Sequence, residues 1–311
     1  MRTIPVDSEL SIIPHNYLSV ARRNVQVYSS LGDALRSTNP KRSLGTGFVY
    51  VSWIDRYDRD NQVVYQIGPG EYIRGNHVSR ISTSKFRGLT FSETPENSFG
   101  WILNGGYSSI APGWDQPNTT NFYYRFEVVQ IYDKVTVEDF EWYMIKPGEW
   151  IEQRQISMVQ PDTKRPEGVE DDRWISVNLF EQTLAAYEDG ELVFATSISS
   201  GLRGWWTRPG TFQVYWKFES DDMQGAFEAD RSDFYYLEDV PWILYYDEAR
   251  AIHGTYWHNN YGWQQSHGCV NLSPADAQWI FNWAEEGTWV YVWDPSGVTP
   301  IETDAYGAGG V

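Results

Sequence analysis

The sequence predicts a mainly β protein built from more than one unit, and three observations carry that reading. Short runs rich in Val, Tyr, Trp and Phe recur along most of the chain, from Val25-Gln26-Val27-Tyr28 to Thr288-Trp289-Val290-Tyr291-Val292-Trp293. Turn residues separate them, among them Gly32-Asp33, Asn39-Pro40 and the two-residue hairpin signal Asp189-Gly190. Only the stretch from Pro274 to about Glu286 has helical spacing, with Ala277, Ile280, Phe281 and Ala284 on one face and Gly287 as its stop.

The whole chain sets further bounds. Its 311 residues suffice for two or three domains with real cores. A formal charge of −18 argues against nucleic acid and anionic membrane surfaces as partners. No apolar run approaches the ~18 residues of a membrane span, and Met1-Arg2-Thr3-Ile4-Pro5 does not open an apolar signal-peptide core. Cys269 is the single cysteine, so no internal disulfide framework exists. The 16 Trp and 21 Tyr are taken first as strand residues, although such rings also stack on sugars and peptides.

In chain order, residues 1–22 read as an extended lead-in punctuated by Pro5, Pro14 and Asn16. Strand runs follow at Gly47-Phe48-Val49-Tyr50-Val51-Ser52-Trp53 and Gln62-Val63-Val64-Tyr65-Gln66-Ile67. Residues 64–81 then repeat as 142–159: Tyr65, Ile67, Pro69, Gly70, Glu71 and Ile73 fall opposite Tyr143, Ile145, Pro147, Gly148, Glu149 and Ile151, and Phe48 falls opposite Phe126. This is a duplicated β unit, expected at 23–83 and 84–160. The second copy carries an insertion at residues 111–120, expected as a surface loop rather than a lid. Residues 161–172 are polar and broken by proline, which reads as a linker. Strands resume over 173–294 through Trp174-Ile175-Ser176-Val177, Leu184-Ala185-Ala186-Tyr187, Leu192-Val193-Phe194-Ala195, Thr211-Phe212-Gln213 and Trp242-Ile243-Leu244-Tyr245, and a tail of 295–311 is expected to fray.

Chemistry concentrates between residues 253 and 272, which hold Cys269 and three of the five histidines, His253, His258 and His267. A thiol attacks as its thiolate and needs a nearby base or positive charge, which His253 or His267 could supply. Gly268 allows a sharp turn that aims amides at an oxyanion. Ser273-Pro274-Ala275-Asp276 is a strong helix start, so Cys269 is expected just ahead of a helix N-terminus that lowers its pKa. The residues alone also admit a buried apolar cysteine, a zinc site with poor ligand spacing, or histidines that only complete hydrogen bonds around the turn.

A resemblance selects among these. His253-Gly254-Thr255 followed by Ser266-His267-Gly268-Cys269-Val270-Asn271 is similar to the signature of the YkuD-type L,D-transpeptidase catalytic domain. The similarity runs from Arg173 to about Trp293 and includes Ser199-Ser200-Gly201 and Thr207-Arg208-Pro209-Gly210-Thr211-Phe212, where Arg208 and Pro209 depart from the family's Pro and Thr. The repeated Ile-X-Pro-Gly-Glu-aromatic-Ile run around Pro69 and its equivalent around Pro147 resembles the end of bacterial SH3-like barrels. The implied fold is two small SH3-like barrels followed by a β-sandwich catalytic domain with a short helix beside the nucleophile.

The resemblance implies an enzyme, a cysteine acyltransferase. Cys269 would be the nucleophile, His253 the base, Gly254 the carbonyl that fixes its tautomer, and His267 an electrostatic neighbour. The amides of Gly268 and Cys269 would form the oxyanion hole; Ser266, Asn271, Tyr256 and Trp257 would contact substrate, and a loop opened by Asp221-Asp222-Met223 would cover the cleft. Many relatives carry Arg where this chain has Asn271. The implied reaction takes peptidoglycan stem peptides as donor and acceptor, releases D-Ala and forms a 3→3 cross-link, with no cofactor or metal and with carbapenem-type compounds as inhibitors. Hydrolysis of the same acyl-enzyme (an L,D-carboxypeptidase) and a non-catalytic wall-binding protein are the alternatives. Work on the wall requires an extracytoplasmic location, so the expectation is that an export signal or anchor is absent from this chain.

Overall fold

The computed structural model describes residues 1–4, 10, 13–20, 24–226, 233–302 and 306. The proline-broken part of the lead-in around Pro5 and residues 303–305 and 307–311 of the final tail lie outside these residues. Alternating apolar residues dictate the strands. In Gln62–Gly68, Val64, Tyr65 and Ile67 are buried, and the equivalent Phe140–Lys146 buries Trp142, Tyr143 and Ile145. The recurring pairs Tyr65/Tyr143, Ile67/Ile145 and Ile73/Ile151 therefore fill each copy's core.

The duplication extends to the pairing register. Val64 pairs with Arg74 and Tyr65 with Ile73, where Trp142 pairs with Glu152 and Tyr143 with Ile151. Each repeat pairs a five-stranded sheet with a group of three strands in the same order; in the second repeat that group is a sheet of its own, and in the first it is the end of a seven-stranded sheet. Among the described residues the strand order closes no barrel in either repeat. Asn16–Val20, assigned from sequence to a lead-in, is the central strand of the first repeat's three-stranded group, between Phe48–Trp53 and Val78–Arg80. A short helix unforeseen from sequence, Leu31–Arg36, is capped by the Ser30 hydroxyl accepting from the Asp33 amide. The second repeat has its insertion at the corresponding place. There Trp114 packs edge-on against Phe140 and Trp142 under the Arg154 guanidinium, so this loop folds back on its own repeat.

Two seven-stranded sheets enclose the main core of the C-terminal half, where Ile175, Leu184, Phe194, Leu244, Ile252, Val270 and Leu272 meet. Neither sheet belongs to that half alone. Leu89–Phe91, between the repeats, extends one sheet against Glu191–Ser197. Phe48–Trp53 of the first repeat extends the other by parallel pairing with Tyr235–Asp247: Tyr235 with Phe48, Tyr236 with Val49, Leu237 with Tyr50. The stretch expected as a free linker is also docked: Val169 is buried against the same cluster as Trp101 and Trp174, and the Asp162 amide donates to the Tyr187 hydroxyl.

The predicted helix is Pro274–Trp283, with Ser273 as N-cap accepting from the Asp276 amide. Its Asp276 carboxyl is buried and accepts from the Gly88 amide (2.8 Å) and the Thr196 hydroxyl (2.6 Å), which fastens the inter-repeat segment to the helix start. No helix among the described residues is long and apolar enough to cross a membrane.

Candidate active site

Two parallel neighbours build the site. Arg250–Gly254 and Val270–Leu272 pair with His253 opposite Asn271, so the histidine and the cysteine turn arrive side by side from distant parts of the motif. Gly268 has φ +117°, a conformation that side chains rarely adopt, and this bends the chain into Cys269. The turn is held from within. The Ser266 hydroxyl donates to the Cys269 carbonyl (2.5 Å) and accepts from the Gly268 amide (3.1 Å). Thr207 adds a second tie, donating to the Gly268 carbonyl and accepting from the Gly201 amide, both at 2.9 Å.

The turn opens onto a cavity of about 510 Å³. His253, Trp257, Ser266, His267, Cys269 and Asn271, all named from sequence, line it. Gly254, Gly268 and Tyr256 are not in its wall. Tyr256 corrects the expectation of a substrate contact: it is 1% exposed, stacked on Tyr17, and its hydroxyl donates to the Glu238 carbonyl. It supports Trp257, which stands on it edge-on at 4.9 Å. The Gly268 amide is another correction, because Ser266 already takes the hydrogen bond that an oxyanion would need. Asp221-Asp222-Met223 lies not in a loop but within the strand Trp216–Gly225, which pairs with Tyr235–Asp247, and Met223 reaches the cavity from there; residues 227–232, beyond that strand, lie outside the described residues.

The helix contributes less to the thiol than the motif suggested. Val270–Leu272 lies between Cys269 and the helix N-cap, roughly 10 Å of extended chain, and the end charge of a helix fades within its first turn. Burial pushes the Cys269 thiol up, and the nearby Arg250 guanidinium opposes that rise. Arg250 is held by Asp247, which also forms a two-point ion pair with Arg208. The family departure at Arg208 thus belongs to a charged cluster behind the cysteine. The thiol itself faces the Ala249 carbonyl at 3.9 Å.

Burial favours the neutral form of the site histidines. His253 Nδ1 lies 3.1 Å from the Gly254 carbonyl, and a carbonyl only accepts, so Nδ1 carries the proton and Nε2 keeps a basic lone pair. Burial lowers its pKa to about 4, against which the Gly254 contact acts. His267 sits between Trp205, edge-on at 4.4 Å, and Tyr235, stacked at 5.5 Å; burial lowers it, with Asp233 opposing.

Sequence reasoning left His258 out of the site, yet it lines the cavity, and burial lowers it to about 4. Its Nδ1 accepts from the Asn260 amide (3.1 Å), and its Nε2 lies 3.0 Å from the Asn271 side-chain amide. A neutral imidazole has one acceptor nitrogen, so Nε2 must donate, and the Asn271 amide must turn its oxygen toward it. The other end of that amide, which has no protein partner, then presents a buried donor in the cavity wall. Phe48 was also missed; nothing in its own repeat's pattern brings it here.

A second groove of about 540 Å³, between the second repeat and the C-terminal sheet, includes Phe180, Glu181 and Trp293 but no cysteine or histidine. Among the described residues no group of three His, Cys, Asp or Glu is placed to hold a metal.

Comparison with known proteins identifies the family of the C-terminal half. Residues 172–292 match the family model for the L,D-transpeptidase catalytic domain, YkuD. Similar solved structures include an L,D-transpeptidase from Stackebrandtia nassauensis (25% identity, 40% of this chain and 57% of that one, TM-score 0.33). Others are a mutant Enterococcus faecium L,D-transpeptidase (29%, 40% and 50%, TM-score 0.36) and the E. faecium catalytic domain acylated by ertapenem (30%, 40% and 100%, TM-score 0.36). The chain thus spans about half the length of the first two. None of the curated proteins matches it.

Proposed function

Residues 172–292 form a YkuD-type L,D-transpeptidase catalytic domain, and from that premise we propose that the protein joins peptidoglycan stem peptides through a Cys269 thioester, forming 3→3 cross-links outside the cytoplasm. The observation that carries the proposal is the shared cavity of Cys269 and His253, with the His253 tautomer set by Gly254.

In the first half-reaction the His253 Nε2 lone pair takes the thiol proton as Sγ attacks the carbonyl carbon between the third stem residue and the terminal D-Ala. The tetrahedral oxyanion faces the Cys269 amide. Collapse breaks the C–N bond, and His253 returns the proton to the departing D-Ala amine, leaving the acyl thioester. In the second half the acceptor amine attacks the thioester, His253 removes its proton, and the thiolate leaves and is reprotonated. Asn271 offers its buried amide donor to a substrate carbonyl, and Trp257 gives the donor peptide an aromatic surface. His267 shapes the field at the thiol from its aromatic slot.

Water in place of the amine would make the protein an L,D-carboxypeptidase. Mass analysis of products from a tetrapeptide stem plus an acceptor stem separates the outcomes. Cross-linked dimer with free D-Ala is the expected result. Tripeptide with free D-Ala would favour the hydrolytic reading, and no D-Ala from folded protein would favour a wall-binding role.

A further inference from the structure

The first repeat enters the catalytic cavity. Phe48, the first residue of the strand Phe48–Trp53, lines the same cavity as Cys269, His253 and His267 and is 47% exposed there. Its position is fixed by backbone. The Phe48 amide donates to the Phe234 carbonyl (2.9 Å), and Phe48 pairs with Tyr235, the ring that stacks on His267. Gly47 has φ +142°, and a Cβ there would collide with the same Phe234 carbonyl, so the strand approaches as closely as a chain can. Tyr50 packs against the Phe48 ring at 4.6 Å.

The duplication supplies an internal control. Phe126, opposite Phe48 in the second repeat, packs on Phe86 at 4.3 Å and beside Tyr261 under the loop that carries His258. One copy's phenylalanine supports that loop; the other presents its ring to open space beside the cysteine. An exposed aromatic ring on a catalytic wall leaves apolar surface unburied until a ligand covers it.

We propose that the first repeat is part of the substrate cleft and that Phe48 is a specificity-determining residue that packs against the donor stem peptide. The inference rests on the acyl-transfer reading above, because the part of a substrate within reach of both Cys269 and Phe48 is the peptide flanking the attacked carbonyl. The ring acts by apolar contact made equally in ground and transition states, so its loss raises KM and leaves kcat nearly unchanged.

The test is steady-state D-Ala release from a tetrapeptide stem by the full chain, comparing wild type with Phe48→Ala, Phe48→Tyr and Ile54→Ala. Ile54 is an exposed residue just past the same strand and outside the cavity wall. The expected result is a KM raised about three- to tenfold in Phe48→Ala, near wild type in Phe48→Tyr, with Ile54→Ala unchanged and iodoacetamide labelling of Cys269 equal in all four. Equal KM in Phe48→Ala and wild type overturns the proposal. So does an equal rise in Ile54→Ala, which would indicate a general disturbance of the repeat. A wild type that releases no D-Ala but is labelled by iodoacetamide overturns instead the acyl-transfer reading, and the cleft assignment with it.

Discussion

Tyr17 and Tyr256 stack face to face, with ring centroids 3.5 Å apart and planes 7° apart, and so join the first repeat to the segment that carries Trp257. Both hydroxyls are satisfied by neighbouring carbonyls, Tyr17 by Asp239 and Tyr256 by Glu238. Tyr17→Phe should cost about 1 kcal/mol, the value of one hydrogen bond. Tyr17→Ala should cost about 3 kcal/mol and also slow D-Ala release, because Tyr256 would no longer hold Trp257 in place. Urea unfolding and turnover measured on both variants check this. Unchanged turnover in a folded Tyr17→Ala would detach the repeat from the site.

The pairing of an elevated thiol with a depressed imidazole predicts a neutral resting site. His253 stays unprotonated down to about pH 4, so its titration should not limit acylation at neutral pH. Alkylation of Cys269 by iodoacetamide should keep climbing beyond the usual thiol range of about pH 8.5. A rate already at its plateau by about pH 7 would mean a preformed thiolate and contradict this reading. Replacing His253 with Ala should abolish turnover while leaving the alkaline alkylation limb in place.

Buried Glu181 gives a stability signature. Burial raises its carboxyl to about 7, while its contact with the Met158 amide favours the charged form. The native state therefore holds a proton that the unfolded chain has already lost between the two pKa values. This group's stability contribution is complete below the unfolded carboxylate value and is lost as pH rises through about 7. Glu181→Gln should thus raise Tm relative to wild type more at about pH 8 than at about pH 5. An equal difference at both would contradict the assignment.

Asp247 holds two arginines, one of them the buried Arg250. Asp247→Asn would take this carboxylate from both arginines, leaving Arg250 with the more distant, half-exposed Glu248 at 3.9 Å, and should destabilise the protein by about 3 kcal/mol. Denaturant titration reads the loss directly. A change below about 1 kcal/mol would mean that solvent already screens the cluster.

The meeting of the His253 segment and the Cys269 turn was legible because these residues lie close together in the chain and need only one parallel pairing to meet. The duplication was legible because it keeps core residues, Tyr65 with Tyr143 and Ile73 with Ile151, together with the Pro-Gly turns between them. Long-range parallel pairing left no such trace. Nothing in the pattern around Phe48 encodes a match with Tyr235 across the chain, so its place in the cavity came only with the fold. Tyr256 and Trp257 were given one role, yet only Trp257 lines the cavity while Tyr256 is buried against it, a distinction that no periodicity marks in an irregular segment. The helix-end effect at Cys269 failed on distance, because Val270–Leu272 is a strand and carries the thiol away from the N-cap.

The most direct measurement is the intact mass of the protein after incubation with a carbapenem, for wild type and for Cys269→Ala. The account predicts one covalent adduct on wild type and none on the folded variant. An adduct of equal yield on Cys269→Ala, or none on a wild type whose cysteine still reacts with iodoacetamide, would contradict Cys269 as the acyl-accepting nucleophile.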